Sequence, residues 1–167
     1  MDPDAGSLGG FRCGNGFGIA PEVADALHQA IDTPQLGYLP PGVKTDMAQA
    51  TSDFLHTRYA WDVVPERVYP TADVLSAYDL VLERFAKPGA PVILPTPAYM
   101  PFFTITPMRG RDVIEVPMVT GENGRAEMDL EGIARAFGSG AHVLILCNPH
   151  NPLGRVYTRD ELVALSQ

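Results

Sequence analysis

Two asparagines carry the most specific chemistry in this chain. Asn148 and Asn151 flank Pro149 and His150 in the run Cys147-Asn148-Pro149-His150-Asn151-Pro152-Leu153-Gly154-Arg155. A carboxamide offers both a donor and an acceptor, and the two prolines stiffen the turn. One amide can then face a ligand while the other braces the backbone, the plainer reading being that both asparagines only build the turn. Tyr99, held between Pro97 and Pro101, reads either as an aromatic plate for a planar ring or as a packed surface tyrosine. Asp73 opens a helix, where unpaired backbone N–H groups and the positive dipole end suit a phosphate. Its simpler reading is an N-cap, the carboxylate accepting from the first turn.

The elements that must position these residues alternate along the chain. Residues 1–18 hold six glycines and read as an arm or loop. Pro21 then starts a short amphipathic helix with Val23, Ala26, Leu27, Ala30 and Ile31 at helical spacing as far as Pro34. Residues 37–42 exclude regular structure and isolate Tyr38 on a loop. A second helix carries Met47, Ala50, Phe54 and Leu55 towards Trp61, and residues 67–70 suit a short strand.

The clearest helix follows Asp73, with Val74, Leu75, Tyr78, Val81, Leu82 and Phe85 as one apolar stripe. Residues 91–95, 112–117 and 142–147 read as strands, the first and last buried on both faces as in parallel sheets. Residues 129–137 read as a helix. Thr158-Arg159-Asp160-Glu161 is a capping box opening a last helix, whose apolar face of Leu162, Val163 and Leu165 stops at Gln167 without a closing glycine or proline. The expectation is an α/β layer fold in a truncated chain. Its candidate site lies where residues 71–74, 97–99 and 148–155 converge at the carboxyl ends of parallel strands.

Other constellations are weaker. Gly14-Asn15-Gly16-Phe17-Gly18 follows no strand and its third glycine falls one residue early for a dinucleotide loop. His28, His56, His142 and His150 lack metal-ligand spacing, so no metal site is expected, and no Gly-x-Ser-x-Gly element marks a serine hydrolase. The formal net charge is −8, and the two lysines and ten arginines form no basic cluster, which argues against nucleic acid and anionic membranes as partners. No apolar run approaches the ~20 residues that span a bilayer. The start lacks a secretory signal, so the expected location is the cytoplasm, with Cys13 and Cys147 as reduced thiols.

The nine-residue run Cys147-Asn-Pro-His-Asn-Pro-Leu-Gly-Arg155 resembles the hallmark of fold-type I pyridoxal-phosphate enzymes, and within them of the class I/II aminotransferase-like cystathionine β-lyases. Gly37-Tyr38, Pro97-Ala98-Tyr99-Met100-Pro101-Phe102, Gly110-Arg111 and Glu127-Met128-Asp129 add to the resemblance, which runs from about Pro21 to Gln167. It implies a partial three-layer large domain with a mostly parallel sheet, divided as an arm and helix over 1–36 and a cofactor-binding part over 37–167. It places Ala72, Asp73 and Val74 at the phosphate of pyridoxal 5′-phosphate, Tyr99 on its pyridine ring and Asn151 at its phenolic oxygen. Tyr38 would reach across a homodimer to the partner subunit's phosphate. The substrate would be an amino acid or cysteine conjugate.

Departures accompany the resemblance. Cys13-Gly14-Asn15-Gly16-Phe17 stands where family members often have Ala-Asp-Met-Asp-Phe, and Leu153 replaces a common threonine. The family's aspartate for the pyridine nitrogen, its Schiff-base lysine and its carboxylate-binding arginine would fall beyond Gln167. Lys44, in a helix, and Lys87, in a turn, do not match that lysine's context, so no catalytic residue is assigned. The resemblance thus implies a fragment of a carbon–sulfur β-lyase or aminotransferase, inactive alone. The alternative is a finished, non-catalytic dimerisation or regulatory partner of a full-length paralogue.

Overall fold

The structure, a computed structural model, describes residues 18–33, 37–38, 40–122 and 124–167. The expected amino-terminal arm, with Cys13 and the departure over 13–17, lies outside the described residues apart from Gly18. The chain forms two compact units, Met1–Pro70 and Thr71–Gln167.

In the first unit, α1 (Pro21–Asp32) starts with Pro21, whose fixed φ suits a first helical turn and whose missing N–H would have no intrahelical partner there. Val23, Leu27 and Ile31 line one face of α1, and all three are exposed. Helix α2 (Pro41–Tyr59) begins inside the segment expected to be irregular, because Pro41 serves as its first residue and Gly42 falls in the first turn. It ends at Ala60, a left-handed residue with φ of 50°, where Ala60 N–H donates to His56 O and Trp61 N–H reaches back to Leu55 O. The strand expected over 67–70 is absent. Pro65–Arg67 instead form a 3-10 turn in which Arg67 and Val68 donate to Val64 and Pro65 carbonyls, so these N–H groups are satisfied locally.

The second unit is organised by β1 (Val92–Thr96), whose first four residues are buried. It pairs in parallel with β2 (Val113–Pro117) on one side and β5 (Val143–Leu144) on the other, in the order β2-β1-β5. Side chains alternate across a strand, so β1 serves two cores. Ile93 packs with Val116, Met128, Ile133, Ala136, Ala141 and Tyr157. Val92 packs with Leu82 and Ala86 on the opposite face. Helix α3 (Val74–Phe85) covers that second face. Helices α5 (Leu130–Gly138) and α6 (Arg159–Leu165) cover the first. The expected α/β layering with a parallel sheet is what the structure shows.

Several elements differ from the expectation. Of the α3 stripe, Leu75, Tyr78 and Leu82 turn inward while Val74, Val81 and Phe85 are exposed, because the sheet covers a single face of a helix whose apolar arc is wider. Helix α4 (Pro101–Met108) occupies a stretch not expected to be helical. The last strand is shorter than 142–147: after Val143 and Leu144 one further ladder bond, Ile145 N–H to Ile93 O, precedes the turn. A small antiparallel hairpin of β3 (Val119–Thr120) and β4 (Ala126–Glu127) follows β2.

One buried charge ties helix to sheet. Arg111 is 6% exposed and donates to the carbonyls of Leu82 at 2.8 Å, Ala86 at 3.1 Å and Arg109 at 3.0 Å. The last turn of a helix leaves carbonyls without intrahelical donors, and this guanidinium supplies them. The centre of the packing is Ile93, with no exposed surface. Truncating it to alanine removes three methyl or methylene groups from a site closed on all sides. We expect Ile93→Ala to lower unfolding stability by about 2–5 kcal/mol, measured by urea denaturation. A loss below about 1 kcal/mol would show that this strand is not the core.

Candidate functional site

The connections leaving β1 and β5 define the site. The two strands are parallel, so both end on the same edge of the sheet. The chain leaving β1 turns into α4, which lies beside α3, whereas the chain leaving β5 leads to α6 on the opposite face. Loops diverging from neighbouring parallel strands open a crevice between them, the position at which open α/β sheets bind ligands. Because α3 runs into β1 through a short turn, its amino-terminal end lies on this edge too.

Asp73 caps α3, its carboxylate accepting from Ser76 N–H at 2.7 Å. That backbone bond, the largest cause, holds the Asp73 carboxyl below the usual carboxylate range. Thr71, Ala72, Asp73 and Val74 are all exposed. An open cleft of ≈ 480 Å³ starts at Asp73 and Ser76 and runs to Ile105 and Arg109 along α4. Arg109 closes its far end as a two-pronged partner of Asp79, whose carboxyl it holds low. The N-cap reading of Asp73 is therefore correct, and the helix start also faces open space.

Tyr99 follows the cis Thr96–Pro97 bond and is half-buried. Its ring meets Phe102 edge-on, with centroids 5.7 Å apart, and Phe102 in turn meets Tyr78 of α3 at 5.2 Å. Tyr78 is anchored by a 2.5 Å hydrogen bond between its hydroxyl and that of Thr106, while Thr106 also donates to Phe102 O. An edge-on neighbour fixes the plane of an aromatic ring while leaving its face available. Burial raises the Tyr78 hydroxyl above its ordinary range, so it remains a neutral phenol.

The two asparagines separate. Asn148 Oδ1 accepts from Tyr157 N–H at 3.3 Å, so Asn148 is the one that braces the backbone. Asn151 is exposed on the turn between His150 and Arg155, whose backbones bond at 2.7 Å. Arg155 lies over the Tyr157 ring at 4.9 Å and pairs with Glu161, which completes the capping box with Thr158.

Residues 71–74, 97–99 and 148–155 thus belong to one edge of one unit. Tyr38 belongs to the unit Met1–Pro70 and is fully exposed there. Sequence reasoning passed over His150 and Tyr157. It weighed His150 only as a metal ligand, although its place inside the motif was the available signal. In the structure His150 is 3% exposed, its Nε2 lies 2.8 Å from Pro97 O and its Nδ1 lies 3.0 Å from the Tyr157 hydroxyl. It joins the two loops that form the crevice.

Known proteins match this sequence and fold. The model of the family described as aminotransferase class I and II matches residues 8–167. A cystathionine beta-lyase of Corynebacterium glutamicum is 35% identical over 90% of this chain and 38% of its own length. Cystalysin from Treponema denticola, whose crystal structure contains pyridoxal 5′-phosphate, superposes with a TM-score of 0.80 at 30% identity, covering 89% of this chain and 37% of that one. N-succinyldiaminopimelate aminotransferase from Mycobacterium tuberculosis superposes with a TM-score of 0.79 at 28% identity, covering 91% and 40%. The chain spans well under half the length of these proteins.

Acid should loosen the turn that carries Asn151. The guanidinium of Arg155, and after it the Thr158 N–H, hold the Glu161 carboxyl at about 2 against an ordinary 4.5. A carboxyl depressed by folding contributes stability that is whole above its unfolded pKa and is lost as pH falls through its folded one. We expect part of the acid-side loss between about pH 4.5 and 2 to vanish in Glu161→Gln. Parallel stability–pH curves for the two proteins would refute this.

Proposed function

Because the chain belongs to the aminotransferase class I and II family, we propose that it is part of a pyridoxal 5′-phosphate-dependent enzyme of cystathionine β-lyase type, acting on amino acids or cysteine conjugates. The aminotransferases in the same family share the fold, and the residues present serve either outcome. The observation that carries the reading is the crevice between β1 and β5, where an exposed helix start, an oriented aromatic ring and an exposed carboxamide share one sheet edge.

The residues present fit three parts of the cofactor: its phosphate, its ring face and its phenolic oxygen. Backbone N–H groups around Ala72, Asp73 and Val74 suit a phosphate dianion through the helix dipole, with the Asp73 carboxylate drawn back onto Ser76 N–H. Tyr99 offers a ring face to the pyridine. Asn151 offers its amide to the phenolic oxygen, while Asn148 is held back onto the backbone through its Oδ1. When bound, the cofactor supplies an electron sink for bond cleavage at the substrate's α-carbon. The protein's part here is to orient that ring and hold its phosphate. We further propose that residues 37–167 are the cofactor-binding part and that Tyr38, fully exposed, reaches the partner subunit's phosphate in a homodimer.

Within this chain no lysine takes the covalent role. Lys87 follows the far end of α3, about 18 Å of helix away from Asp73. Lys44 lies over the Tyr69 ring at 5.2 Å. We propose that these residues bind the cofactor reversibly without turning over substrate. Equilibrium dialysis of the purified chain should show saturable retention of pyridoxal 5′-phosphate, weakened about 2–10-fold by Asn151→Ala, the worth of one hydrogen bond. Borohydride treatment should leave no stoichiometric pyridoxyl label on Lys44 or Lys87. Absence of saturable retention by the unaltered chain would sink the binding reading, and full labelling of either lysine would sink the reversible one.

A further inference from the structure

We infer that His150 is a positioning residue that holds Asn151 in register with Tyr99 across the crevice. The inference rests on the pyridoxal-phosphate reading above and deepens it.

The geometry assigns Nε2 of this buried ring, and with it the Nδ1 of a neutral imidazole. A carbonyl oxygen only accepts, so the Nε2 facing Pro97 O at 2.8 Å carries the hydrogen. In the neutral imidazole Nδ1 is then the acceptor, and the Tyr157 hydroxyl 3.0 Å away donates to it. The ring therefore joins the loop after β1, which carries Tyr99, to the residue just before the Thr158 cap of α6. Its own backbone closes the turn bearing Asn151: His150 N–H donates to Arg155 O at 2.7 Å, and Gly154 N–H donates to His150 O at 2.6 Å.

Asn151 is thus the first residue of a turn whose base is His150. The backbone from which its amide projects is set by a rigid ring bonded at both ends, with Tyr157 itself fixed by Arg155 stacked on its face. Positioning by a neighbour matters because an exposed carboxamide on a free turn would lose rotational entropy on meeting its ligand. A turn held in advance has already lost the backbone share of that entropy.

The test uses the full chain with two probes, pyridoxal 5′-phosphate and 3-deoxypyridoxal 5′-phosphate, which lacks the phenolic oxygen that Asn151 would contact. His150→Phe should weaken retention of the first about 2–10-fold, no more than Asn151→Ala does, and leave retention of the second unchanged. In an Asn151→Ala background it should cost nothing further. His150→Gln, which keeps a donor and an acceptor, should restore most of the loss and covers the case in which His150→Phe fails to fold. Nitrogen-15 spectra of the unaltered chain should show His150 with hydrogen on Nε2 alone. Equal weakening of both probes, additivity with Asn151→Ala, no recovery in His150→Gln or an Nδ1–H tautomer would each overturn the positioning role. An unaltered chain that retains neither probe would instead overturn the pyridoxal-phosphate reading on which it rests.

Discussion

Burial of β1 on both faces is the constraint on which the larger unit depends. Val92 and Ile93 have no exposed surface, and each belongs to a different core. A strand in that position needs hydrogen-bonding neighbours on both edges and helices on both sides. The chain meets this by sending its next strand to one edge and its last strand to the other. The crevice is a by-product of that arrangement: connections that must reach opposite layers part company at the strand ends, and the parting leaves room for a ligand.

The elements that were legible in the sequence are those whose signals act locally. Asp73 and Thr158 announced their helices because capping depends on residues two or three positions away. Helix α4 was not legible, since Pro101 and Pro107 suggest a loop. Pro101 is harmless at a helix start, and Pro107 falls in the final turn, where Thr106 holds the backbone through Phe102 O. Two-residue strands such as β3 and β4 exist only through each other, and a pairing across Gly121 and Gly124 leaves no periodic trace. Val74, Val81 and Phe85 looked like core because period alone does not say how much of a helix the sheet covers.

At the site, residue types were readable and their division of labour was not. The sequence offered two asparagines for two jobs, and a contact nine residues away, Tyr157 N–H on Asn148, decides which one braces. The pairing of His150 with Pro97 spans 53 positions and has no signature in either segment. Such contacts follow from strand order, which is the part of an α/β fold that a single sequence specifies least directly.

Arg111 reads the end of α3 entirely through main-chain oxygens. Its partners at Leu82 and Ala86 contribute carbonyls that any residue would offer, so the clasp is blind to which side chains stand there. A substitution at those two positions would be felt through the packing with Val92, Tyr78, Val143 and Ile145 and not through the clasp, whereas one at the arginine would remove the clasp itself. The joint between helix and sheet is therefore asymmetric: one partner is a fixed chemical identity and the other merely a shape.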